Sequence, residues 1–159
     1  MIKIGDKMPE GSFGVMTEQG PGAIKADELF GGKKVVLFSV PGAFTPTCSA
    51  KHLPGFIELA DQIKAKGVDT IACLAVNDVF VMGAWGKHAG ADGKVTMLAD
   101  GNCTYTKALG LELDATGYGM GTRGQRFALL VDHGVVKNVF IEAPGEFKVS
   151  AAQNILANL

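Results

Sequence analysis

Apolar residues in this chain gather in short runs separated by polar, glycine-marked breaks, and several runs are rich in branched side chains. Lys34 to Val40 and Thr70 to Val76 are almost continuously apolar, as strands buried on both faces would be. Between them, Thr47 to Lys66 predicts a helix interrupted at Pro54. Val79 to His88 predicts a second helix, Thr96 to Leu98 a short strand and Tyr105 to Leu109 a helical turn. Arg126 to Val131 and Val135 to Ile141 predict a hairpin turned at Asp132-His133-Gly134, and Ala151 to Leu159 repeats apolar residues at helical spacing. The order β-α-β-α-β-β-α predicts an α/β protein with a central mixed β-sheet flanked by helices on both faces.

That arrangement is thioredoxin-like. With 159 residues the chain has room for one substantial core and reads as a single domain over 1–159. The Gly-rich stretch from Gly117 to Gly124 is too short to separate domains. Fifteen Lys plus Arg against sixteen Asp plus Glu give a net charge of -1, without a basic cluster or interleaved aromatic stripe. Nucleic acid and anionic membrane are therefore not expected partners. The segment Met1 to Glu10 lacks the apolar run of a signal peptide, and no stretch approaches the ~20 apolar residues of a membrane span. A cytoplasmic location is the expectation. Cys48, Cys73 and Cys103 show no C-x-x-C spacing and fit a reducing compartment better than a disulfide framework.

Chemistry concentrates where the first strong strand meets its helix. Thr45 suits an N-cap and Pro46 a first helical residue, which puts Cys48 third, beside unpaired amide donors that favour a thiolate. Thr45 has a plainer reading as a cap only, Pro41 as a strand terminator, and Cys48 as a small buried hydrophobe. His52 lies four residues past Cys48, on the same helical face, either as a supporting hydrogen-bond donor or as a packed ring. No His or Cys pairing has metal-ligand spacing. Gly119 to Gly124 satisfies G-x-G-x-x-G, but it precedes the apolar run Phe127 to Val131 instead of following a strand and opening a helix, so no dinucleotide or other cofactor is expected.

Several separated motifs, in order and covering nearly the whole chain, resemble a peroxiredoxin of the type II, peroxiredoxin-5-like class. They are Pro41, Thr45 and Cys48 in P-x-x-x-T-x-x-C, then Lys51-His52-Leu53-Pro54-Gly55-Phe56, then Val76-Asn77-Asp78 with Ala84-Trp85, and Arg126-Phe127. The resemblance implies a thioredoxin fold, a homodimer and a thiol-dependent peroxidase acting on hydrogen peroxide and alkyl hydroperoxides. It implies Cys48 as the peroxidatic cysteine, Thr45 and Arg126 as holders of the peroxide, and Pro41 as a shield over the sulfur. Arg123 is the rival guanidinium, read as a loop residue in contact with solvent. Phe44, Phe80 and Trp85 are candidates for the dimer contact, or for core.

Thiolate formation alone explains little of such a reaction. Lowering a cysteine pKa from ~8.5 to ~6 raises the thiolate fraction at neutral pH about 30-fold, while intrinsic nucleophilicity falls about 13-fold. The net gain is roughly twofold. Fixed donors aimed at the peroxide oxygens are needed, a task for Arg126, the Thr45 hydroxyl and the amides of residues 44 to 48. Cys48 would become a sulfenic acid, to be recycled by glutathione with glutaredoxin or by thioredoxin. The C-terminal stretch Phe147 to Ala151 has no cysteine. Cys73 matches the second cysteine of plant and bacterial type II proteins and is the candidate resolving residue, or else a strand core residue. A separation on the order of 10 Å from Cys48 would exceed the ~7 Å reach of a disulfide. Cys103 departs from family positions. A thiol-disulfide oxidoreductase is disfavoured because Thr45 stands where a first C-x-x-C cysteine would be. A redox sensor or holdase using sulfenylated Cys48 is the non-enzymatic alternative.

Overall fold

Alternate residues of the strongest apolar run point to opposite faces, and both faces are buried. In the computed structural model, which describes Met1 to Leu159, this run is β3 (Lys34–Ser39) of a seven-stranded sheet. The other elements, in chain order, are β1 (Ser12–Thr17), β2 (Gly20–Lys25), α1 (Ala26–Phe30), a π-helical turn (Cys48–His52), α2 (Leu53–Ala65), β4 (Thr70–Ala75), α3 (Val79–Ala89), β5 (Thr96–Ala99), α4 (Thr104–Leu109), β6 (Glu112–Asp114), a short 3-10 turn (Thr116–Tyr118), β7 (Thr122–Gly124), β8 (Phe127–Asp132), β9 (Val135–Ile141) and α5 (Ala152–Ala157). The sheet order is β2-β1-β5-β4-β3-β8-β9, and β6 pairs with β7 in a separate small hairpin. Strands β3, β4 and β5 run parallel, with the outer strands antiparallel to their neighbours. This is the thioredoxin-like fold the periodicity predicts.

One core lies under α2, α3 and α5, where Val36 and Phe38 of β3 meet Phe56, Ile63, Trp85 and Ile155. The other lies under α1 and α4, where Val35 and Leu37 meet Phe30, Phe13 and Tyr105. Each such large apolar side chain contributes roughly 1.5–3 kcal/mol on burial. Phe38 stacks on Phe56 with centroids 4.1 Å apart, locking the start of α2 to the C-terminal end of β3.

Three features differ from the sequence expectation. The β1–β2 hairpin and α1 are additional: Gly14 interrupts β1, β2 reads Gly-Pro-Gly, and Phe13 is the one buried residue in the pair. Such an edge pair carries little propensity. Residues 112–124 form a hairpin where the sequence showed only a Gly-rich stretch. Pro54 does not interrupt the helix. It sits in the first turn of α2, where its missing amide would otherwise have bonded the carbonyl of Ala50. The ladder widens just before it, with Leu53 N–H donating to Cys48 O, so the Pro is absorbed by a π-turn that carries Cys48 and His52.

Candidate active site

The turn between β3 and the first helix is held from several sides. Gly42 O accepts both Thr45 N–H at 3.4 Å and the Thr45 hydroxyl at 2.7 Å. Ala43 N–H donates to Asn77 Oδ1 at 2.9 Å, which ties the turn to the end of β4. Phe44 adopts φ 62°, a left-handed conformation uncommon for a bulky residue, so the turn stores backbone strain beside the thiol. A Cβ at Gly42 would stand 3.2 Å from both Met120 Cε and Thr45 Cγ2, so only glycine fits without displacing one of them. The helical residues begin at Pro46, and Cys48 is the third of them. Thr45 caps through its carbonyl, which accepts from Ser49 N–H at 2.9 Å, and not through its side chain.

Cys48 is fully buried, at 0% exposure. Arg126, immediately before β8, reaches it because Phe127 pairs with Ser39 at the C-terminal end of β3. Its Nη2–H donates to Cys48 Sγ at 3.1 Å, while its Nη1–H donates to His52 Nδ1 at 2.8 Å. Because Nδ1 accepts, the ring proton sits on Nε2 and is donated to Ser150 O at 3.1 Å. His52 therefore acts on Arg126, and its own contacts are the rings of Phe38 and Phe147, each with its centroid 4.9 Å away.

His52 stays neutral because burial, and secondarily the charge of Arg126, pushes its pKa from 6.5 to about 3. The unfolded chain binds this proton below about pH 6.5, whereas the folded chain refuses it until about pH 3. Unfolding thus takes up a proton in that window, and stability falls with acidification by about 1.4 kcal/mol per pH unit. Above pH 6.5 the group is neutral in both states and contributes no slope. Urea unfolding from pH 7 to 5 is expected to show this extra decline in the wild type and not in His52→Gln. Parallel curves would contradict a neutral buried His52.

The remaining candidates fall into place less uniformly. Pro41 stands two residues past the end of β3, after Val40, and is half-buried. Cys73 is buried on β4 opposite Phe38 of β3, in the same core as Cys48, and burial followed by the charge of Cys48 raises its pKa well above the ordinary thiol value. All three cysteines are free. Arg123 lies on β7, not in a loop, and is only partly exposed: Nε donates to Met120 O and Nη1 to Val76 O, each at 2.9 Å, bracing the 112–124 hairpin against the mouth of the turn. Trp85 is not exposed either, and its indole N–H donates to Ser49 Oγ at 2.9 Å, next to Cys48. The sequence marked Asn77 only as part of the Val76-Asn77-Asp78 motif, without its bond to Ala43, and missed Glu142 altogether. Glu142 follows the apolar strand run Val135 to Ile141, the one signal that could have marked it.

A thioredoxin-like sheet with a buried cysteine at a helix start, its sulfur bonded by a guanidinium, has the make-up of a thiol-based redox protein. A family model described as Redoxin matches residues 3–156. The chain is 50% identical to peroxiredoxin-2B of Arabidopsis thaliana over 159 residues, covering 99% of this chain and 98% of that protein. It is similar in structure to reduced Prx3 in complex with hydrogen peroxide from Vibrio vulnificus, with a TM-score of 0.95, 54% identity and 99% of each chain covered. A 1-Cys peroxiredoxin, the antioxidant protein of Plasmodium falciparum, matches with a TM-score of 0.91 and 31% identity over 99% of this chain and 100% of that one. The chain belongs to the redoxin family as a type II peroxiredoxin, and its activity is that of a thiol peroxidase. No helix is long and apolar enough to cross a membrane.

Proposed function

We propose that Cys48 is the nucleophile that takes oxygen from hydrogen peroxide or an alkyl hydroperoxide, in a pocket formed by Thr45, Arg126 and Pro41. The observation that carries this reading is the forked guanidinium of Arg126, one arm on Cys48 Sγ and the other anchored on His52. The thiolate attacks the OH-bearing oxygen of ROOH in line. An S–O bond forms and the O–O bond breaks. Its electron pair leaves on the second oxygen, which takes a proton and departs as alcohol or water, while Cys48 becomes a sulfenic acid.

Thr45 takes a different part from the donor role expected of it. Its proton is committed to Gly42 O, so Oγ1 offers lone pairs and accepts the O–H of the attacked oxygen. That contact orients the peroxide. Arg126 and the backbone N–H groups of Thr47 and Cys48 stabilise the charge growing on the leaving oxygen, Pro46 having no N–H and the Thr45 N–H being spent on Gly42 O. Pro41 closes the sulfur off from bulk water.

Recycling requires an outside thiol. Glutathione with glutaredoxin, or thioredoxin, attacks the sulfenic sulfur, releases water and leaves a mixed disulfide that a second thiol reduces. The burial of Cys73 and its raised pKa support this one-cysteine cycle, as does the likeness to a protein described as a 1-Cys peroxiredoxin. A homodimer in the cytoplasm completes the proposal: Phe44 and Phe80, 50% and 63% exposed, supply apolar surface for the second copy.

The test is a steady-state peroxidase assay of the wild type and Cys73→Ser with each reducing system supplied separately. Full activity of Cys73→Ser is expected with the competent reductant. Loss of activity in that variant would restore an internal disulfide. One peroxide consumed per subunit, whichever reductant is in excess, would instead mark a stoichiometric sensor.

A further inference from the structure

Residue 142 is a carboxylate only 8% exposed, just past the end of β9. One of its oxygens does all the bonding. Glu142 Oε2 accepts Lys148 N–H at 2.8 Å, Ser150 N–H at 2.8 Å and the Ser150 hydroxyl at 2.6 Å, while Oε1 is buried with no partner. Burial by itself would raise the pKa of this group, but the donors from Ser150 and Lys148 prevail and hold it below the usual carboxylate value. A buried charge with one unpaired oxygen is a costly way merely to close a loop.

What the carboxylate closes is a strap, residues 143–150, laid over the back of the site. Phe147 in the strap packs on the His52 ring and lies 5.8 Å from the guanidinium carbon of Arg126. Ser150 O takes the His52 Nε2 proton, and Glu142 N–H donates to Arg126 O at 3.0 Å. The same residue therefore fixes the backbone of Arg126 directly and its side chain through Ser150 and His52. Arg126 takes part in no ion pair, and the charges of Arg126 and Glu142 both act on the imidazole between them.

We infer that Glu142 is a positioning residue for peroxide reduction: it laces the 143–150 strap so that Ser150 sets the His52 tautomer, and His52 in turn aims Arg126 at Cys48. This rests on the roles of Cys48 and Arg126 proposed above. Removing the carboxylate orphans three donors and frees the Ser150 carbonyl. His52 can then present either ring nitrogen, and the guanidinium loses its second anchor.

The test compares two reactions of Cys48 in the intact protein across a pH series, each expressed per thiolate: oxidation by hydrogen peroxide and alkylation by iodoacetamide. Alkylation needs the sulfur but not donors aimed at peroxide oxygens. Glu142→Ala is expected to slow oxidation about 10- to 100-fold, the scale of a misaimed catalytic group, with alkylation undiminished. Glu142→Gln, which keeps an acceptor oxygen, is expected to recover most of the rate. Long-range nitrogen NMR of His52 should show a single tautomer, protonated at Nε2, in the wild type and a mixture in Glu142→Ala. Should the alanine variant not fold, Glu142→Asp, which withdraws the carboxylate by one methylene, is expected to show the same selective loss in smaller degree. Oxidation at the wild-type rate with an unchanged tautomer, or equal loss of both reactions, would overturn the role of Glu142. Failure of the wild type to oxidise at Cys48 would instead overturn the reading beneath it.

Discussion

Cys48→Ser is expected to abolish peroxide turnover while leaving the fold in place. Cleaving the O–O bond requires an atom that gives up an electron pair and survives as a reducible S–O species, which a serine oxygen cannot do. A serine hydroxyl is also a weak nucleophile without a base to activate it, and no base touches this position: the side-chain partner of Cys48 is Arg126, a donor. The substitution is nearly isosteric, and the Arg126 Nη2–H that meets Sγ can donate to a hydroxyl instead, so the buried oxygen is not orphaned. Peroxide consumption with glutathione and glutaredoxin, and separately with thioredoxin, should fall to the uncatalysed background. Consumption near the wild-type rate would place the chemistry on another residue.

Arg126→Met should lower the second-order rate of Cys48 oxidation by about 10²- to 10³-fold, the usual cost of deleting one preorganised donor to a developing oxyanion. The methionine keeps bulk against Phe147 and removes both arms of the fork. Stability should drop as well, because His52 Nδ1 is left unpaired in a site walled by Phe38, Phe56 and Phe147, at a cost of about 1–3 kcal/mol. Arg126→Lys restores the charge but not the fork, so it should recover little of the rate. The single tryptophan offers the readout, since the Trp85 indole N–H is bonded to Ser49 beside the sulfur. Stopped-flow fluorescence after mixing with peroxide would follow the oxidation step. An unchanged rate in Arg126→Met would remove its assigned role.

How much of this was legible in the sequence depended on whether the determinant was local. The apolar runs of β3, β4 and the β8–β9 hairpin are continuous and rich in branched residues, so they announce themselves, and the sheet class follows from their order. The β1–β2 hairpin has no such run. Gly14, Gly20, Pro21 and Gly22 give it turn-like composition, and pairing with the sheet edge, not propensity, makes it a strand pair. Cys48, Thr45, Pro41 and Arg126 drew attention because they sit in compact motifs.

Their relations to one another were not. The direction of the Thr45 proton is set by Gly42 O, the tautomer of His52 by Ser150 O, and the burial of Trp85 by its place under the π-turn. Each of these comes from segments brought together only by folding. Arg123, read from the sequence as a loop residue in contact with solvent, is carried by the hairpin to the carbonyl of Val76, forty-seven positions earlier in the chain. Glu142 belongs to no motif and drew no reading from the sequence. Only the return of the chain through Ser150 places it behind the active site.

Whether Cys48 is the atom that takes oxygen from peroxide is decided by peptide mass mapping after one equivalent of hydrogen peroxide is added to the fully reduced protein, with dimedone present and no other thiol. The expected result is a dimedone adduct on the peptide carrying Cys48, with the Cys73 and Cys103 peptides unmodified. A dimedone adduct on Cys73 or Cys103 while Cys48 stays reduced would contradict the assignment.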